Sequence, residues 1–131
     1  MKSGVGLDSC VVLRLLTGLP QEQFVRARDF LEECQRTGEQ VWVNDLVVAE
    51  VYHALIYYYD IPPKTALDAL RKFLTSPNVR CAGHATEMLA ECRGTGAGLD
   101  DRLIRADLLD RVDRLVSFDK DFCRLAGVQT I

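Results

Sequence analysis

Long uncharged runs are missing from this sequence. The longest stretch without a formal charge is nine residues, Val51 to Tyr59, against the roughly 20 apolar residues that a membrane-spanning helix needs. No spanning segment is expected, and no membrane partner. An apolar leader is not expected either, because Asp8 follows Lys2 too soon. Internal repeats and low-complexity tracts are absent, which excludes disordered and collagen-like chains. Cysteine pairs of the CxxC type are absent as well, although five cysteines stand at 10, 34, 81, 92 and 123. An odd number without metal-type spacing points to reduced, packed thiols in a cytoplasmic protein rather than to disulfides or zinc. Excess positive charge is lacking, since 16 basic residues face 19 acidic ones and leave a net charge of −3. Such a chain does not coat nucleic acid through bulk charge. Lysine is scarce, at four against twelve arginines, and arginine is the better bidentate partner for phosphate and carboxylate. What is present is a chain of 131 residues, 48% hydrophobic and 27% charged. Residues 1–131 are read as one globular domain.

Strand and helix signals alternate along it. Val5 to Leu7 is a short apolar run that stops at Asp8. The segment from Ser9 is near-continuously apolar and is closed by Gly18 and Pro20, the usual stop signals of a helix. A helical stripe of Phe24, Ala27, Phe30, Leu31 and Cys34 follows, ending at Gly38. Val41 to Val43 reads as a second strand, and Asn44 or Asp45 can cap the helix that runs to about Tyr58. Pro62 and Pro63 open another helix, with Ala66, Leu67, Leu70, Phe73 and Leu74 on its apolar face. Val79 to Ala82 is a third strand, and residues 84–92 form a short helix that His84 begins. After the glycine-rich stretch 94–99, Asp100 or Asp101 starts a helix to about Arg111. Leu115 to Ser117 is a fourth strand, followed by a short helix and a last strand near Val128. This alternation predicts an α/β fold with a mainly parallel sheet. Ligands of such sheets bind beyond the carboxyl ends of the strands.

Four acids fall in telling places. Asp8 and Asp119 directly follow strands. Glu50 is the only charge between Leu46 and Tyr59, where a carboxylate is costly unless something pairs with it. An arginine salt bridge would serve that need as well as a functional role. Asp101 shares a stripe with Ile104 and Leu108, so it is expected to lean toward the core. Asp100 shares a more mixed face with Leu103 and Asp107. Either acid could simply complement a helix N-terminus. Gathered together, four carboxylates would repel one another, and a divalent cation relieves such repulsion. Mg²⁺ or Mn²⁺ suits oxygen ligands and a phosphate, and can activate a water for phosphodiester cleavage.

The segments GLDSCVVLRLL (6–16), VNDLVVAEVYHAL (43–55), LDDRLIRADLL (99–109) and LVSFDKDFCRLAGV (115–128) resemble PIN-domain proteins, in particular the VapC-type ribonuclease toxins. The resemblance implies a three-layer sandwich around a mainly parallel sheet of four to five strands. It implies an endoribonuclease that uses Mg²⁺ or Mn²⁺, with Asp8, Glu50, Asp101 and Asp119 as catalytic acids. Asp8 and Asp101 would be the direct metal ligands, and Glu50 and Asp119 would orient waters or hold a second metal. Ser117 would hydrogen-bond the cluster, Asp121 would be a helix cap or arginine partner, and Asp100 would compensate for the family acid missing at Gly98, which leaves Asp100 an alternative to Asp101. A toxin of this class implies an RNA substrate, a cognate antitoxin covering the cleft and a homodimer. Arg14, Arg102 and Arg105 are candidate phosphate contacts. His53, on the face of Glu50, is either an RNA contact or a packed residue. Tyr57, Tyr58 and Tyr59 could stack on bases or form packing or dimer surface. Three positions depart from the family pattern: Cys10 stands where Asn is usual, Gly98 where many relatives carry an acid, and Asn44 where Ser or Thr is common.

Other strand–Asp families fit less well. A haloacid-dehalogenase-type phosphatase needs a second Asp at Cys10, and a response-regulator receiver needs acids that are absent. An EF-hand beginning at Asp119 would place Arg124 and Thr130 where Gly and Glu are required. The alternative of another class is a catalytically inactive scaffold that binds a protein partner or dimerises through the apolar helix 47–59.

Overall fold

A computed structural model describes residues 2–131 of the chain. The chain begins with β1 (Val5–Gly6), α1 (Ser9–Thr17), α2 (Gln21–Thr37) and β2 (Val41–Asn44). It continues through α3 (Asp45–Tyr57), α4 (Pro63–Leu74), β3 (Val79–Ala82) and α5 (Ala85–Glu91). After α6 (Leu99–Leu109) come β4 (Leu115–Ser117), a 3-10 turn at Phe122–Arg124 and β5 (Val128–Thr130). The fold is α/β and every strand pairing is parallel. The five strands do not form one sheet, as the sequence had suggested. They divide into a three-stranded sheet ordered β1-β2-β3 and a two-stranded sheet of β4 and β5. β1 is only two residues long, and its flanking groups serve β2: Val5 and Leu7 donate to the carbonyls of Gln40 and Trp42, both at 2.9 Å.

Alternation along β2 sets the side of the core. Val41 and Val43 are buried, while Trp42 and Asn44 are exposed. The buried pair joins the core to which α3 contributes Val48, Val51, Tyr52 and Leu55. All five apolar positions read on α4 (Ala66, Leu67, Leu70, Phe73 and Leu74) are buried. Local chemistry sets the helix ends. The side chain of Asp8 caps α1, accepting from the Val11 N–H, and Asn44 caps α3 through Val47.

Asp45 reaches much further. Its carboxylate accepts from the N–H groups of His84 and Ala85 at 2.8–2.9 Å, capping α5 from across the fold. Gly83 lets it approach: φ there is +108°, and a Cβ would lie 2.5 Å from Asp45 Oδ2. Among the described residues no buried side chain is polar or charged. The acids therefore lie on the rim of the core, at the carboxyl ends of β1 and β4 and on the faces of α3 and α6.

Candidate active site

The turn after β1 supplies Asp8 and Ser9. Asp8 is exposed, with Oδ1 at 3.2 Å from the Val11 nitrogen. Ser9 Oγ donates to Glu50 Oε2 at 2.9 Å, tying the start of α1 to the middle of α3. The partner of Glu50 is thus a neutral hydroxyl, not the arginine that the apolar setting had suggested. Glu50 is exposed and keeps its hydration, so no buried charge needs compensation. Sequence reasoning passed over Ser9, although its place beside Asp8 at a strand end was a usable signal.

On α3, one turn beyond Glu50, His53 Nε2 meets Oδ2 of Asp100 on α6. The other oxygen, Asp100 Oδ1, is buried without a hydrogen-bond partner. Gly98 is the N-cap of α6 and the helix begins at Leu99, so neither Asp100 nor Asp101 starts it. Both acids sit in the first turn, where the helix N-terminus favours negative charge. The expected stripe of Asp101, Ile104 and Leu108 does not face the core. Ile104 is 50% exposed, while Leu103, on the stripe of Asp100, is buried. The stripe faces outward because the buried side of α6 is set by Leu99 and Leu103.

Asp101 nonetheless stands among carboxylates. Its pKa is raised, chiefly by partial burial and then by the charges of Asp119, Asp100 and Asp121. Asp119, two residues beyond β4, is held at two points. Its N–H donates to Ser117 Oγ at 2.9 Å, and its Oδ1 accepts from Phe122 N–H at 2.8 Å. Ser117 therefore positions the backbone of Asp119 rather than its carboxylate. The segments are linked in pairs: Ser9 to Glu50, His53 to Asp100, and Asp119 to Asp101 through charge alone.

The PIN domain family profile matches residues 5–128. The chain belongs to the PIN domain family. No curated protein matches it. PIN domains are generally nucleases that use divalent metal ions.

Among the described residues, no three His, Cys, Asp or Glu side chains converge as metal ligands would. The donor chemistry fits the family's ion all the same. The group is built of carboxylate oxygens, the ligands that Mg²⁺ and Mn²⁺ prefer. Mutual repulsion at Asp101 and the unpartnered Asp100 Oδ1 are what a hard cation would relieve.

The remaining residues named from the sequence make contacts of their own. Asp121 pairs with Arg124 at 3.4 Å and makes no cap hydrogen bond. Arg14 Nε donates to Gln23 at 2.6 Å, in a groove between α1 and α2 that exposed Cys10 also lines. Arg102 holds the glycine-rich loop through the Ala97 carbonyl at 3.2 Å, and Arg105 donates to Ala126 at 2.6 Å. These guanidinium contacts tie the fold together. All five cysteines are free, and no helix among the described residues is long and apolar enough to cross a membrane.

Proposed function

We propose that this PIN domain is a divalent-metal-dependent endoribonuclease, the VapC-type toxin of a type II toxin–antitoxin pair. The observation that carries the reading is the pair of contacts that tie α3 to the other acid-bearing segments, Ser9 to Glu50 and His53 to Asp100, with the raised pKa of Asp101 in support. Asp8 and Asp101 would hold Mg²⁺ or Mn²⁺. The cation would lower the pKa of a water and offset charge on the phosphate. Glu50, fixed by Ser9, and Asp119, its carboxylate held by the Phe122 N–H, would orient the attacking water through their free oxygens. Water adds to phosphorus and the bond to the ribose 3′ oxygen breaks. The proton released balances the 3′ alkoxide, leaving 5′-phosphate and 3′-hydroxyl ends. The proposal extends to a cytoplasmic homodimer and to an antitoxin whose tail covers the acid cleft with an arginine.

The test is cleavage of RNA by the purified chain. Activity should require Mg²⁺ or Mn²⁺, vanish with chelator and be lost on Asp8→Asn. A chain that leaves RNA intact with either metal overturns the nuclease reading and favours an inactive scaffold. Growth arrest on expression, relieved by the product of a small neighbouring reading frame, tests the toxin assignment separately.

A further inference from the structure

Exposed aromatic surface continues from the acids along α3. Glu50, His53 and Tyr57 are three and seven residues apart and share one face of the helix. Tyr57 lies about 10 Å along the helix axis from Glu50. The His53 ring is fixed from three sides. Asp100 meets its Nε2, and Tyr52 meets it edge-on with centroids 6.0 Å apart. Tyr57 stacks on it nearly parallel, at 5.6 Å and 12°. Despite that contact Tyr57 is 71% exposed, so the ring face turned away from His53 is open.

We propose that Tyr57, held by His53 and Asp100, is a stacking platform for an unpaired nucleobase adjoining the cleaved phosphate. The inference rests on the ribonuclease reading and adds the element that grips the substrate. Phosphate contacts are poorly provided near the acids. The chain carries a net charge of −3, and Arg102 and Arg105 donate to backbone carbonyls. A base, unlike a phosphate, can approach an acidic cleft without charge repulsion, and every base has a face that an aromatic ring accepts. Because the tyrosine is already ordered against His53, little rotamer freedom is lost on binding. A second copy seated on the same face would bring two acid clusters together, which like-charge repulsion opposes.

The experiment uses the full chain with Mg²⁺ and a short single-stranded RNA carrying fluorescent 2-aminopurine at successive positions. Binding is read by stopped flow before cleavage. Wild type and Tyr57→Phe should quench one position beside the cleaved bond. Tyr57→Ala should abolish that quench, weaken binding roughly 5- to 150-fold and raise KM with little change in kcat. Tyr57→Ala that binds and quenches like wild type rejects the platform and leaves the nuclease reading intact, provided cleavage still depends on Asp8. Wild type that neither binds nor cleaves RNA removes both. Conversion of a dimer to a monomer by Tyr57→Ala, with RNA affinity unchanged, assigns the face to self-association and rejects the proposal.

Discussion

Replacing Asp101 with Asn should stabilise the metal-free protein while abolishing its chemistry. Burial and the charges of Asp119, Asp100 and Asp121 raise the pKa of this carboxyl. A carboxyl raised above its unfolded value opposes folding once it is ionised. The penalty is therefore fully present above the folded pKa. It fades as pH falls through that value and is gone below the unfolded pKa. Near the surface each like-charge neighbour is worth about 0.2–1 kcal/mol, the scale of exposed ion pairs. Against this, Asn gives up the favourable position in the first turn of α6, about 0.3–1 kcal/mol. Three neighbours outweigh one helix end, so the net gain at neutral pH is about 1 kcal/mol, roughly 3–5 °C in Tm for a domain of this size. Thermal unfolding followed by circular dichroism, at neutral pH and again near the ordinary carboxyl pKa, reads the gain and its disappearance. Divalent ion should reverse the order. A cation at about 100 times its Kd adds about 2.7 kcal/mol to the wild type, and the variant, short of one ligand oxygen, should gain less. A variant less stable than wild type at neutral pH, or one gaining as much from Mn²⁺, refutes the argument.

Ser9→Ala should release Glu50 and lower kcat by about tenfold or less, because one exposed hydrogen bond to a charged group is worth about 1.5 kcal/mol at most there. The Tm should fall by no more than about 5 °C, and a Ser9→Thr variant should retain activity. His84 has a raised pKa, first from its hydrogen bond to Asp110, so its contribution to stability is complete below the unfolded value and is lost as pH rises through the folded one. Asp110→Asn should therefore cost up to about 1 kcal/mol in urea unfolding at mildly acidic pH, and little at alkaline pH. An equal cost at both would contradict the pair. Gly83→Ala puts a methyl group against the Asp45 carboxylate at a φ of +108° and should destabilise by about 1–3 kcal/mol. The double variant with Asp45→Ala should lose less than the sum of the two single changes, as a double-mutant cycle would show.

Most of the fold was legible because its signals are local. Asn44 caps the helix beside it, Gly18 ends α1, and the 3.6-residue spacing on α4 names its buried face. A residue's nearest chain neighbours decide such features, and a sequence displays neighbours directly. The four segments resembling PIN domains, and hence Asp8, Glu50, Asp101 and Asp119 as candidates, came from order and spacing along the chain in the same way. Contacts across the fold were not legible. Only tertiary structure pairs Glu50 with Ser9 over 41 residues, sends Asp45 to cap a helix 39 residues away and sets Asp100 against His53. The burial of Leu103 rather than Ile104 depends on which neighbours α6 meets, which periodicity along the helix does not specify. The division of five strands into two sheets is likewise seen only in the tertiary structure. Composition and spacing thus determined the elements and the candidate acids. Packing decided which of them meet, because a side chain's partners are set by distance in space rather than by position in the chain.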